Sequence, residues 1–77
     1  MQSVEEIRDN LTAALKDNAD DYDTTMKLMT LTTLLLARGI TEQQFEDKYE
    51  LYEKLCVDSD YSLNEQNINH IYRELRK

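Results

Sequence analysis

The chain has 77 residues, one cysteine and a formal net charge of −7. A chain of this size is expected to fold as one domain over 1–77, burying only about 60% of its unfolded surface with no disulfide to compensate. Sixteen acidic against nine basic residues oppose nucleic-acid backbones and membrane surfaces, and the longest apolar run, LLLA at 34–37, is far short of the ~20 residues a spanning helix needs.

The N-terminus, MQSVEEIRDN, has neither the basic lead nor the apolar core of a secretory signal. With the single thiol of Cys56, it points to a reducing, cytoplasmic compartment. Proline is absent and there is one glycine, so the two strongest helix breakers are almost missing. Four helices are expected.

The first spans about 3–17. Ser3 and Glu6 form an S-x-x-E capping box, and Val4, Ile7, Leu11, Ala14 and Leu15 recur at three- and four-residue spacing as a narrow apolar stripe. The acidic stretch that follows contains Asp17, Asp20, Asp21 and Asp23, whose carboxylates suit the start of the second helix, 21–38. That helix is apolar on several sides. Tyr22, Met26, Met29 and Leu36 share one face, Leu28, Leu31 and Leu35 lie across from it, and Leu34 opens a third direction. Such a helix is expected at the centre of a bundle, and incomplete cover in so small a domain admits a homodimer.

Gly39 then closes the helix, with Ile40 as the apolar contact that accompanies a left-handed cap. Thr41 and Gln44 make a second capping box, and Ile40 and Phe45 a hydrophobic staple around it. The third helix, 42–57, carries Phe45, Tyr49, Tyr52 and Cys56 along one line and Glu42, Glu46, Asp47, Glu50 and Glu53 on its other side. A polar loop at 57–62 leads to the fourth helix, 63–76, capped by Ser62 and Glu65 and striped by Ile68, Ile71, Tyr72 and Leu75. The fold class is therefore all-α, a compact bundle of four short helices with tight loops.

The tight glycine turn at 39 invites comparison with a DNA-reading helix-turn-helix. Its second helix would place five carboxylates beside a polyanion, which opposes binding. Docking by the last helix would use Asn64, Gln66, Asn67, Asn69, Arg73 and Arg76, a polar but weakly charged set. Asp58, Asp60 and Ser62 match the first three ligand positions of a calcium loop. Leu63 then stands where glycine is needed and Asn69 where a bidentate glutamate should close it, so a polar loop is the better account. Cys56 lies on an apolar line and the only histidine, His70, falls off one. No nucleophile–base pair, phosphate-cradling glycine loop or Cys/His metal cluster is legible, so neither enzyme, cofactor nor metal centre is expected. Of the five tyrosines, Tyr52 reads as core, while Tyr49 and Tyr61 border acidic surface and are contact candidates.

Leu31, Leu34 and Leu35, then Gly39, Ile40, Thr41, Glu42, Phe45 and Lys48, resemble the short helical hairpin of the SHOCT module. The likeness covers about a third of the chain, lacks that module's extra aliphatic turn residue, and implies an interaction role with no catalytic residues.

The function expected is that of a non-enzymatic protein-binding regulator or inhibitor. Small acidic chains of this kind suit bacteriophages and mobile elements, and their carboxylates can imitate nucleic-acid phosphate on a basic target. The contact residues expected are Glu42, Glu46, Asp47, Tyr49, Glu50, Glu53, Asp58, Asp60 and Tyr61, with the acidic 17–23 stretch beside them. The partner is a protein with a basic surface, not nucleic acid and not a membrane. A DNA-binding regulator and a homo-oligomeric adaptor are the alternatives.

Overall fold

The computed structural model describes residues 3–15 and 21–77. Among these residues there are five helices and no strand: α1 Val4–Leu15, α2 Tyr22–Ala37, α3 Glu42–Asp47, α4 Tyr49–Asp58 and α5 Glu65–Arg76. Four of the five helices begin at a side chain that accepts from a free N–H group, and α4, which follows Lys48, has no such cap. The Ser3 hydroxyl accepts from Glu6 N at 3.2 Å, and the Asp21 carboxylate, the α2 cap, accepts from Thr24 N at 3.1 Å. At α3 both halves of the expected box form, Gln44 N to Thr41 Oγ1 at 3.1 Å and Thr41 N to Gln44 Oε1 at 2.9 Å. The cap of α5 is Asn64, which accepts from Asn67 N at 2.8 Å, and not Ser62 as expected. Ser62 is already engaged by the Asn64 side chain, and Asn67 Nδ2 ties Ser59 Oγ and the Ser62 carbonyl together, so the loop runs two residues further.

Two helices end in the same closure. After α2, Gly39 N donates to Leu36 O at 3.0 Å and Ile40 N to Leu35 O at 3.1 Å, with Gly39 at φ 103. After α4, Asp60 N donates to Val57 O at 3.0 Å and Tyr61 N to Cys56 O at 2.9 Å. These are two Schellman motifs. The second contains no glycine: Asp60 and Tyr61 both take positive φ, at 53 and 56. A left-handed conformation costs a non-glycine residue roughly 1–2 kcal/mol, less for Asp, and the burial of the Tyr61 ring offsets it.

The expected third helix is broken. Lys48, at φ −121 and ψ 30, separates α3 from α4, so the single helix read over 42–57 is two. Neither proline nor glycine is involved. In a straight helix Phe45 and Tyr52, seven residues apart, would be offset by about 10 Å along the axis. Their ring centroids are 5.0 Å apart in an edge-to-face arrangement at 66°. The break allows that approach, and the Lys48 ammonium it turns aside donates to the carbonyls of Glu74, at 3.1 Å, and Lys77 at the end of α5. A cation there complements the helix dipole.

The core is assembled from Leu28, Leu31 and Leu35 of α2, Ile40, Phe45, Tyr52 and Cys56, and Ile68, Ile71 and Leu75 of α5. The last helix packs against α2, α3 and α4, whereas α1 packs chiefly on α2 through Leu11 and the half-buried Ile7. Each leucine fully withdrawn from water contributes about 1.5–3 kcal/mol. One polar pair lies inside. The Thr32 hydroxyl donates to Leu28 O at 2.9 Å and stands 2.7 Å from the Tyr52 hydroxyl. With its only proton committed to the carbonyl, Thr32 must accept, so Tyr52 donates.

Thr32→Val strands the Tyr52 hydroxyl in the core and is expected to cost about 1–3 kcal/mol, whereas Tyr52→Phe removes a satisfied bond for roughly 0.5–1.5 kcal/mol. The double variant should cost less than the sum, and urea unfolding of all three checks it. Thr32→Val proving no worse than Tyr52→Phe would contradict the donor assignment.

Candidate functional site

The acidic residues singled out in the sequence do not form one surface. At the break between α3 and α4, Glu46, Asp47 and Glu50 are exposed, with Tyr49 and Leu51 among them, around an open depression of about 410 Å³. Lys48 lies in its floor but spends its charge on the α5 carbonyls. Asp47 accepts from Gln43 Nε2 at 2.8 Å, which leaves its carboxylate facing outward. Tyr49 is half-buried and packs against the core while bordering the depression. Glu42 and Glu53 are half-buried on either side of this group, and Glu42 is engaged in an interaction of its own.

Asp58 and Asp60 are exposed but distant. Eight residues of helix separate Glu50 from Asp58, about 12 Å along the axis, so the two ends of α4 present separate charges. Tyr61 is 5% exposed, which corrects its assignment as a contact residue: the closure of α4 turns its ring into the core. Asp21 and Asp23 belong to the start of α2, where Asp21 is a cap whose carboxyl is held below its ordinary value by its bond to Thr24, and Asp23 pairs with Lys27 at 3.4 Å. Asp17 and Asp20 lie outside the described residues.

A second surface is apolar. Arg8, Met26, Met29, Thr30, Thr33 and Leu34 line a groove of about 280 Å³ between α1 and α2. Met26 and Leu34 are exposed, and Tyr22, one turn before Met26, is 81% exposed. The α2 face expected to be covered is therefore open to solvent along this edge.

A third surface escaped the sequence because tertiary packing creates it. Arg38, the C-cap residue of α2, reaches α5, donating through Nη1 to Asn69 Oδ1 and standing 5.7 Å from the centroid of the Tyr72 ring. Arg76 approaches the same ring at 5.2 Å and donates to the Tyr72 hydroxyl at 2.9 Å. The sequence signal was faint, an Asn–Tyr–Arg series at three- and four-residue spacing along one side of α5.

Among the described residues no group of three or more His, Cys, Asp and Glu side chains is placed to hold a metal ion. The calcium-like residues are taken up otherwise: Asp60 in the α4 closure and Ser62 in the loop before α5. Cys56 is buried beside Tyr52, and burial pushes its thiol up to about 12, while His70 is exposed on α5. The thiolate that nucleophilic chemistry needs is not populated near neutral pH.

Burial also raises Tyr52 well above its ordinary 10.0, and the ordinary value for Cys56 is 9.0. Both groups are neutral when folded and ionise at lower pH once unfolded. Their contribution is complete below pH 9 and is lost as pH rises towards the folded values, by up to ~1.4 kcal/mol per pH unit for each group. Urea midpoints measured from pH 7 to 11 should fall above pH 9, with the earlier part of the decline absent in Cys56→Ala.

No family model matches the chain, and comparison with curated proteins and with solved structures gives no significant match.

Proposed function

We propose that the protein is a non-enzymatic binding protein, a regulator or inhibitor that docks on a basic protein surface through the acidic depression at the α3–α4 break. The observation that carries this is the grouping of Glu46, Asp47 and Glu50, exposed around one concavity with Tyr49 at its edge. Carboxylates held on two short adjoining helices keep a fixed spacing, and a half-buried tyrosine adds contact area at small entropic cost. Such an array can occupy a groove that otherwise receives phosphates, as an inhibitor of phage or mobile-element origin would use it. Asp58 and Asp60 stand at the other end of α4, about 12 Å along the axis from Glu50, as a separate group of charge. The resemblance of 31–48 to a SHOCT-type hairpin is consistent with an interaction role.

The test is capture of partners from lysate, followed by titration of the purified partner. The triple variant Glu46→Lys, Asp47→Lys, Glu50→Lys should retain its helical circular dichroism and bind at least about tenfold more weakly, and wild-type binding should weaken as salt rises. Duplex DNA should compete if phosphate is being imitated. Unchanged affinity in the variant and across the salt series sinks the proposal.

A homo-oligomeric adaptor is the second reading, favoured by Tyr22, Met26 and Leu34 standing exposed around the α1–α2 groove. Light scattering on the purified chain should then give a dimer mass that Met26→Glu or Leu34→Glu reduces to the monomer. A monomer at every concentration removes it.

A further inference from the structure

The Arg38–Asn69–Tyr72–Arg76 cluster is unusual for what it leaves unpaired. Two guanidinium groups gathered around one tyrosine ring repel each other, and the ring attraction for each is of order 0.5–1 kcal/mol at an exposed site. The covering of apolar surface by arginine stems accounts for one such contact. It does not account for a second cation at the same ring in a chain of net charge −7.

The hydrogen bonds sharpen the point. Asn69 Oδ1 accepts from Arg38, so the amide presents its N–H₂ group. The Tyr72 oxygen accepts from Arg76, so its own proton remains to be donated. Each guanidinium has five N–H donors and no acceptor. Both acceptor side-chain atoms of the cluster are thus bonded to arginine, and its donors outnumber its acceptors. None of the ion pairs found among the described residues involves Arg38, Arg73 or Arg76.

The negative groups at the end of α5 are neutralised locally. The Glu74 carboxylate pairs with Lys77 Nζ at 2.6 Å, and the C-terminal carbonyls of α5 at Glu74 and Lys77 receive the Lys48 ammonium. The positive field at Arg38 and Arg76 is therefore not cancelled by the helix end on which Arg76 sits.

We infer that Arg38, Asn69, Tyr72 and Arg76 form a binding site for the phosphate group of a compact phosphorylated compound. Forked guanidinium donors match tetrahedral oxyanions. The two arginines stand 5.7 and 5.2 Å from the centroid of the same ring, so charge and donor geometry carry the recognition. The acidic remainder of the chain disfavours an extended polyanion and tolerates a small one. This site is independent of the acidic depression and stands or falls without it.

The probe is sodium pyrophosphate, titrated at constant ionic strength into isotopically labelled protein and followed at the arginine Nε–H and asparagine side-chain resonances. Saturable shifts are expected at Asn69, Arg38 and Arg76, with inorganic phosphate acting weakly at the same positions. Arg38→Gln and Arg76→Gln should each weaken pyrophosphate by about tenfold, the loss of one charge-assisted bond, while Arg8→Gln leaves it unchanged. Both arginines of the cluster are exposed, so their variants should keep the wild-type thermal midpoint. Shifts that do not saturate through the millimolar range, or saturation that survives the double Arg38→Gln, Arg76→Gln variant, overturn the inference. Tighter binding of a single-stranded oligonucleotide through the same arginines overturns the assignment to a compact ligand.

Discussion

The Tyr52 side chain ties the structure together. Its ring meets Phe45 edge-on, its hydroxyl reaches Thr32 on α2, and its neighbour one turn along is Cys56. A phenol buried this deeply is tolerable only when its proton has somewhere to go, and the threonine is placed to receive it because its own proton goes to the Leu28 carbonyl. That single chain of bonds fixes the rotation of α4 relative to α2. It also requires Phe45 to be close, and the helix gives way at Lys48 to allow it.

The shape of the outer surface follows from this inner arrangement. Had 42–57 remained one straight helix, Glu46 and Glu50 would have stood in a row along it. Breaking at Lys48 folds the row around a concavity that the lysine itself lines while donating to the carbonyls of α5. The same helix end gathers arginines on its other side, so a chain with an acidic average carries a local basic spot.

Much of the fold was legible because local rules coincide in places. Gly39, Ile40, Thr41, Gln44 and Phe45 satisfy closure, capping and apolar contact at once, and the structure bears out each bond they imply. The break at Lys48 was illegible because it has a tertiary cause: no local residue disfavours helix there, and only the Phe45–Tyr52 contact and the α5 carbonyls do. The closure after α4 was missed because it is made by Asp60 and Tyr61 where glycine is the usual signal, and with it the burial of Tyr61. Of the expected contact residues, those adjacent in sequence around the break came together, and those reached across α4 did not. The arginine cluster joins residues 38 and 76, a pairing that no periodicity within one helix can announce.

The unequal seating of the helices has a further effect. The last helix is held by three others and closes a circuit with α2, α3 and α4, whereas α1 rests chiefly on one. The chain is thus layered in its packing, with an inner group that shares its burial and an outer helix seated chiefly on one partner. A competitor for the seat of α1 on α2 has to outbid a single interface rather than the whole fold. Exchange of that kind, between copies or with another amphipathic helix, is open to this architecture in a way it is not for a bundle whose every member has two neighbours.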